Sequence, residues 1–140
     1  MPDAYDPDNV FSKILRGELP AVTVYEDDHT LAFMDIMPAT DGHTLIIPKG
    51  PHRTMLDCPD DLLKQTIVTT RKIAIAAQKA FAADGITVSQ LNEAAGGQEV
   101  FHLHFHVIPR KEDEPMRSRP RGFADKSLLI AHAERIKSAL

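Results

Sequence analysis

The chain lacks the cysteine pairs that stabilise small secreted proteins. Its 140 residues contain a single cysteine, Cys58, so no disulfide can form within the chain, which favours a reducing compartment. No apolar run approaches the about 20 residues that are needed to cross a bilayer, and the polar, acidic start over residues 1–9 does not resemble a signal peptide. We therefore expect a cytoplasmic protein that does not associate with a membrane.

Positively charged residues are outnumbered by acidic ones. Lys and Arg number 16 against 20 Asp and Glu, which gives a formal net charge of −4. This charge, with no dense basic run, argues against a broad nucleic-acid-binding face, so we expect no nucleic acid partner. The content of 43% hydrophobic and 26% charged residues is ordinary for one globular domain.

Histidine, by contrast, is concentrated in one place. Three of the seven histidines, His102, His104 and His106, fall within five residues and alternate with apolar residues. In a strand, a period of two places all three imidazoles on one face. The outer two would stand roughly 13 Å apart, too far for one zinc ion with bonds of about 2.1 Å. The alternative is a polar strand face that is merely rich in histidine, but the pattern favours a surface that lines an extended ligand.

A glycine pair precedes this row. Gly96 and Gly97 let the backbone approach a ligand closely, and consecutive N–H groups can form a concave anion site. Alone, the pair would indicate a plain turn. Because three aligned imidazoles follow, residues 92–98 predict a phosphate cradle.

These motifs resemble the histidine triad (HIT) superfamily. Residues 102–108, HLHFHVI, fit its signature His-φ-His-φ-His-φ-φ, in which φ is apolar. Supporting segments follow in the same order over a HIT domain at residues 9–110; they are residues 10–14, 26–28, 31–36, 42–49 and 97–98. The resemblance implies an α+β fold, a five-stranded antiparallel meander sheet with packed helices. In the family, two such sheets form a continuous ten-stranded sheet in a homodimer.

The order of elements can also be predicted from local patterns. Short turns between apolar segments indicate strands at residues 22–26, 30–35, 43–47, 86–91 and 100–108. Helical spacing indicates a short helix that ends at Gly17, a long helix over residues 59–83, and a final amphipathic helix at residues 128–139. Residues 111–140 are expected to be a charged linker followed by this last helix, packed on the same domain.

The resemblance also implies a nucleotide site. The residues that match Val10, Phe11 and Ile14 wall the nucleobase pocket in HIT proteins, although at this stage they could simply be core. Phe33 and Asp35 would face the same way, so that the ring packs on the base and the carboxylate accepts hydrogen bonds from the ribose. The other predicted contacts to a purine nucleotide of the AMP type are Ile36, Asn92, Gly97, Gln98 and Glu99.

The triad itself suggests nucleophilic chemistry. A neutral imidazole attacks phosphorus well when its other nitrogen donates to a fixed acceptor, and His104 lies between two further imidazoles. In HIT enzymes the matching histidine forms a nucleotidyl-histidine that water then cleaves. By the same resemblance, His106 contacts the phosphate, His102 and His43 hold the ring and its proton relay, and amides near Gly97 stabilise the phosphate oxygens.

Three functions remain open at this point. The first is a hydrolase of the nucleoside phosphoramidase type, and the second is a dinucleoside polyphosphate hydrolase. The third is a non-catalytic nucleotide-binding scaffold with a vestigial triad. Glu99 stands where many HIT enzymes carry Ser or Thr, so we expect it either to protonate the leaving group or to point to solvent.

A structural metal is not expected. His52 matches a metal-binding position of some bacterial HIT members, but those members add two cysteines where this chain has Asn9 and Ser12. The thiolates that zinc favours are therefore missing. We predict neither a metal nor a cofactor.

Overall fold

The computed structural model describes residues 4–118 and 121–140, in which five strands form one antiparallel sheet. The strands are β1 (Thr23–Glu26), β2 (Thr30–Met34), β3 (Thr44–Pro48), β4 (Gly85–Gln90) and β5 (Phe105–Arg110). The predicted α+β class, with five antiparallel strands and packed helices, is confirmed.

The strand order in the sheet is β1-β2-β3-β5-β4. The first three strands follow one another as neighbours, and the long helix then carries the chain to the far edge. There β4 pairs with β5, which inserts beside β3 in the register Thr44↔Val107 and Ile46↔Phe105. As a result β5, which carries the end of the triad motif, lies inside the sheet, and β4 lies at its edge.

The helices are α1 (Val10–Leu15), α2 (Asp60–Ala80) and α3 (Lys126–Lys137), with single 3₁₀ turns at Met55–Asp57 and Ala94–Gly96. The Asn9 side chain caps α1 by accepting a hydrogen bond from the Ser12 N–H. Acidic residues in the first turn of α2 and Lys79 in its last turn complement the helix dipole. Among the described residues, no helix combines the length and hydropathy of a membrane span.

The two faces of the sheet carry different cores. One face packs against α2 and α3, where Ile73 of α2 and Ile136 of α3 meet Ile46 of the sheet. The other face is covered in part by α1, whose Phe11 contacts a smaller cluster around Phe33. This second face, less completely covered by helices, is the one that carries the site.

The fifth strand begins later than the predicted range of residues 100–108. His102 and His104 precede β5, and only His106 lies in it. The reason is that the backbone there makes other bonds, since the Leu103 N–H donates to the His52 carbonyl and the His102 carbonyl accepts from a side chain. The alternation of faces is nevertheless kept, because Leu103 and the apolar residues after it point into the main core.

Candidate active site

A cavity of about 520 Å³ opens on the face of the sheet that α1 covers. Its apolar end is formed by α1 and by Phe33 of β2, and its polar end is formed by the residues that follow β2 and by the triad segment. The lining includes Val10, Phe11, Ile14, Phe33, Asp35, Ile36, Gly97, Glu99, His104, His106 and Arg121. An apolar pocket with a few polar groups at one end suits a small molecule with an aromatic part and a charged part.

His104 is held with one ring nitrogen toward the cavity. Its Nδ1 donates to the backbone carbonyl of His102 at 2.7 Å, which leaves the lone pair on Nε2. The ring of Phe11 packs edge-on against it with 5.0 Å between centroids. Burial lowers the pKa of His104, and the bond to the His102 carbonyl opposes this only in part. The imidazole is therefore neutral near pH 7 and has an available nucleophilic nitrogen.

His43 and His106 form an oriented pair beside this nucleophile. The Ala39 N–H donates to His43 Nδ1 at 2.9 Å, so the proton of His43 is on Nε2. That Nε2–H donates to His106 Nδ1 at 2.9 Å, which leaves His106 with an Nε2–H of its own. Burial, followed by the neighbouring charges, lowers the pKa of His43 to about 3 and that of His106 to about 4. Both rings are neutral, and His106 can donate a hydrogen bond to a ligand.

His102 lies behind the site rather than in it. Its Nε2–H donates to the Pro48 carbonyl at 3.0 Å, and its Nδ1 accepts from the Tyr5 hydroxyl at 2.6 Å. The ring is fully buried and burial lowers its pKa to about 4. Its side chain does not line the cavity, and what it offers to His104 is its backbone carbonyl. Tyr5 was not predicted, because nothing in its local sequence indicates a contact with a residue 97 positions away.

Asp35 completes the polar end of the cavity. It lies on the same side as Phe33, as the alternation in β2 predicts, and Ile36 lines the cavity beside it. One carboxylate oxygen accepts from the Met37 N–H at 2.8 Å, and the other lies 3.5 Å from Nε2 of His43. The carboxylate is therefore fixed at the boundary between the apolar end and the histidines.

The three side chains of Asp35, His43 and His106 are close enough to suggest a metal site, since their ligand atoms lie within 4.8 Å of one another. Their hydrogen bonds do not fit one. Two nitrogens bound to a tetrahedral zinc ion would be roughly 3.4 Å apart, whereas His43 and His106 are 2.9 Å apart with a proton between them. As arranged here, the cluster is a proton-ordered network, and the prediction that the chain binds no metal stays a prediction.

The glycine loop reaches the cavity with its backbone. Gly97 has φ +97°, a left-handed conformation that favours glycine, and both Gly97 and Glu99 line the cavity, with Glu99 exposed at its rim. Gln98 is buried behind the loop, where its Nε2 donates to the carbonyls of Arg53 and Val100. Its side chain holds the loop in place and does not face the cavity.

Asn92 is not brought to the cavity either. Its side-chain amide exchanges hydrogen bonds with the Gln90 amide at 2.8 and 2.9 Å, and its oxygen also accepts from the Met55 N–H. The Asn92 amide thus supports the glycine loop from the side away from the cavity. The expectation that Asn92 faces the phosphate does not agree with this arrangement.

An ion pair that sequence reasoning missed supports the same loop. Arg53 binds both carboxylate oxygens of Glu93, at 2.9 Å from Nε and 2.8 Å from Nη2. The guanidinium also lies over the ring of Phe101, 4.2 Å from its centroid. Glu93 has φ +64°, which is unusual for a residue with a side chain, so the pair stabilises a strained turn next to the cavity.

A second missed feature is a stretch that we call the C-terminal strap, residues 117–118 and 121–124. The sequence predicts an exposed, charged linker over residues 111–122, and residues 111–118 are exposed. The strap is nevertheless bound to the loop after β2, with the Arg117 N–H donating to the Ala39 carbonyl at 2.8 Å and the Ala124 N–H to the Ile36 carbonyl at 3.0 Å. Between these anchors, Arg121 lines the cavity.

Comparisons with known proteins agree with this geometry. The HIT domain family model matches residues 16–113. The crystal structure of a HIT-like protein involved in cell-cycle regulation from Bartonella henselae is 50% identical with a TM-score of 0.92, and the match covers 98% of this chain and 100% of that one. Adenylylsulfatase HINT3 of Arabidopsis thaliana is 42% identical over 105 residues, which are 75% of this chain and 53% of the relative. Adenosine 5'-monophosphoramidase HNT1 of Saccharomyces cerevisiae is 35% identical over 113 residues, which are 81% and 69% of the two chains. With its sheet, its ordered histidines and these relatives, the chain belongs to the HIT family.

Proposed function

We propose that the protein is a nucleotide hydrolase that acts at the α-phosphorus of a purine nucleotide through a nucleotidyl intermediate on His104. This proposal rests on the hydrogen bond that His104 Nδ1 donates to the His102 carbonyl. Because the proton of the neutral ring is on Nδ1, the lone pair is on Nε2. Relatives whose names are adenylylsulfatase and adenosine 5'-monophosphoramidase support a nucleotide substrate of the AMP type.

The two ends of the cavity support this substrate class. The base would pack against the edge-to-face pair of Phe11 and Phe33 at the apolar end, and Asp35 would accept hydrogen bonds from the ribose hydroxyls. The α-phosphate would then lie beside His104, within reach of the His106 Nε2–H and of the backbone near Gly97. Preorganised donors of this kind stabilise the charge that develops on phosphate oxygens.

The reaction would proceed in two displacements. In the first, the His104 Nε2 lone pair forms a bond to phosphorus while the bond to the leaving group breaks and its electron pair departs with that group. In the second, a water oxygen attacks phosphorus, the bond to Nε2 breaks, and the nucleoside monophosphate is released. A neutral nucleophile needs no deprotonation before attack, so the lowered pKa of His104 supports the first step.

The leaving group defines two candidate substrates. An amine, as in a nucleoside phosphoramidate, must gain a proton as it departs, and we assign its delivery to Glu99 at the cavity rim. A phosphate chain, as in a dinucleoside polyphosphate, departs as an anion, and the guanidinium of Arg121 in the same cavity favours that alternative. A scaffold that binds a nucleotide without turnover would have no need of the ordered tautomers of His43, His104 and His106.

We also propose a homodimer, formed by pairing of β4 across a two-fold axis into a ten-stranded sheet. Within the described residues, β4 pairs only with β5, and its Val88 is 46% exposed. On α2, Ile67 and Ile75 are 44% and 49% exposed, two helical turns apart on one side. An open strand edge beside exposed aliphatic side chains is suited to self-association. Light scattering at several protein concentrations tests the homodimer, and a monomer at every concentration would contradict it.

A cytoplasmic location stays a prediction.

Intact-protein mass spectrometry tests the central step. The protein is mixed briefly with adenosine 5'-phosphoramidate and, separately, with diadenosine tetraphosphate, and quenched without acid. We expect a gain of one adenylyl group that acid removes and that peptide mapping assigns to His104. The His104→Ala variant is the matched control and should stay unlabelled. Turnover without any label, or a label on another histidine, would contradict the proposal.

A further inference from the structure

Arg121 brings positive charge into the cavity. Among the described residues that line it, the carboxylates are Asp35 and Glu99, and Arg121 is the one cationic side chain. The imidazoles of His104 and His106 do not add positive charge, since burial lowers the pKa of each. Within residues 4–118 and 121–140, Arg121 is thus the cationic side chain in the cavity that a negative phosphate can meet.

The backbone on either side holds Arg121 in place. The C-terminal strap is tied to the loop after β2 by the Arg117 N–H on the Ala39 carbonyl and the Ala124 N–H on the Ile36 carbonyl. Arg121 itself donates from Nε to the Met37 carbonyl at 2.8 Å, and its residue is half-buried. With Nε used in this way, the planar Nη1 and Nη2 ends are directed donors for an anion. Such an arrangement differs from that of a mobile surface arginine, since the strap and the Met37 carbonyl orient the guanidinium before a ligand arrives.

The guanidinium is bound to the loop after β2, the same loop whose Ala39 N–H binds His43. Burial is the main cause of the lowered pKa of His43 and of His106, and the charge of Arg121 adds to it. In an in-line displacement at phosphorus, the leaving group departs opposite the attacking atom. A charge on the His43 and His106 side is thus placed for the leaving group more than for the attacking nitrogen.

We propose that Arg121 binds the leaving group of the substrate and selects for an anionic one, a sulfate or a phosphate chain, over an amine; this rests on the proposed function. As the bond from His104 Nε2 to phosphorus forms, the P–O bond breaks and its electron pair stays on the sulfate or phosphate oxygen. That group needs no proton to depart, and the guanidinium compensates the negative charge that collects on it. An amine leaves as a neutral molecule after gaining a proton, so it gains little from Arg121.

The test compares kcat/KM for three substrates: adenosine 5'-phosphosulfate, diadenosine tetraphosphate and adenosine 5'-phosphoramidate. In R121Q we expect the two anionic substrates to lose about tenfold or more, as for a charge-assisted hydrogen bond, and the phosphoramidate to lose no more than a few-fold. The ratio of anionic to amine turnover should fall accordingly. R121K keeps the positive charge but loses the planar, two-pronged guanidinium. Its ratio of anionic to amine turnover should lie between those of R121Q and the native protein.

Two variants serve as controls. R117Q removes a guanidinium that binds the Pro38 carbonyl and Asp41 outside the cavity, so it disturbs the strap and should leave the substrate ratio unchanged. Glu99→Gln should shift the ratio in the opposite direction to R121Q, because it removes a proton source for the amine. The proposal is overturned if R121Q lowers kcat/KM equally for all three substrates or leaves it unchanged. It is also overturned if R117Q shifts the ratio of anionic to amine turnover as R121Q does.

Equilibrium binding separates failure of this proposal from failure of the proposed function. ADP carries a phosphate where the leaving group would be, and AMP does not. The native protein should bind ADP more tightly than AMP, and R121Q should remove that difference. If the native protein forms no adenylyl-His104 but this binding pattern holds, the chemistry fails and the role of Arg121 stands. If adenylyl-His104 forms and R121Q keeps the preference for ADP, only the role of Arg121 fails.

Discussion

His102 and His104 are two residues apart in one motif, both are buried, and burial lowers the pKa of both rings. They differ in how their nitrogens are used. His102 has both ring nitrogens bonded, to the Pro48 carbonyl and the Tyr5 hydroxyl, and contributes only its backbone carbonyl to the site. His104 has one nitrogen bonded and keeps the other for a ligand. Two buried, neutral rings therefore act as a structural residue in one case and as a nucleophile in the other.

The largest expected effect is that of His104→Ala on catalysis. Since no neighbouring ring can replace a nucleophile at that position, kcat/KM should fall by a factor on the order of 10³ or more. Stability should change much less than activity, because the ring borders a cavity. Steady-state kinetics together with urea unfolding measure both. If His104→Ala keeps near-normal turnover while His102→Ala loses it, the assignment of the two roles is reversed.

His102→Ala should show the opposite pattern. Removing a fully buried ring leaves a void and strands the Pro48 carbonyl and the Tyr5 hydroxyl, at a cost of about 2–4 kcal/mol in the free energy of unfolding. The fraction that stays folded should retain more activity than His104→Ala, because the His102 carbonyl remains. If His102→Ala unfolds no more easily than His104→Ala, the structural role of His102 is contradicted.

Acid should destabilise the protein through these buried rings. The pKa of His43 is lowered to about 3, and the pKa values of His102 and His106 to about 4, whereas an unfolded chain has histidines near 6.5. Between about pH 6.5 and pH 4 the unfolded chain takes up protons that the folded protein does not, so stability falls as pH falls. Melting temperatures taken at intervals of half a pH unit measure this dependence of stability on pH. His102→Gln should make the dependence shallower, and a flat profile from pH 7 to pH 4.5 would argue against neutral buried rings.

The smallest effect concerns Tyr5→Phe, which removes one partner of His102 and keeps the ring. The free energy of unfolding should fall by about 1 kcal/mol, because one hydrogen bond at a partly buried site is lost. Turnover should stay close to native, since the His102 carbonyl still holds His104. Urea unfolding with parallel kinetics checks this. A tenfold loss of turnover without a loss of stability would place Tyr5 in the catalytic site itself.

The parts of the site that could be predicted are those with a local period. Alternation over residues 30–35 predicts that Phe33 and Asp35 share one side, as they do, and the family resemblance named Val10 and Ile14, which line the same cavity. Here the secondary structure alone determines which side chains share a face. The matching family motifs added His43, whose neighbours in sequence give no hint of a partner 63 residues away.

The rest depends on contacts between distant parts of the chain. Tyr5 finds His102, Arg53 finds Glu93, and the strap with Arg121 lies along a loop formed some 80 residues earlier. None of these pairs produces a periodic signal, and a charged, proline-rich stretch has the composition of a linker whether or not it is anchored. The late start of β5 has the same origin, because the Leu103 N–H bonds to His52 outside the sheet.

The most direct test of the account is the tautomer of His104 in solution. Nitrogen-15 NMR of the imidazole rings distinguishes a proton on Nδ1 from one on Nε2 and from the charged form. At pH 7 we expect His104 to carry its proton on Nδ1, and His43, His102 and His106 to carry theirs on Nε2. A His104 ring protonated on Nε2, or charged at that pH, would leave no lone pair facing the cavity and would contradict the role of His104 as the nucleophile.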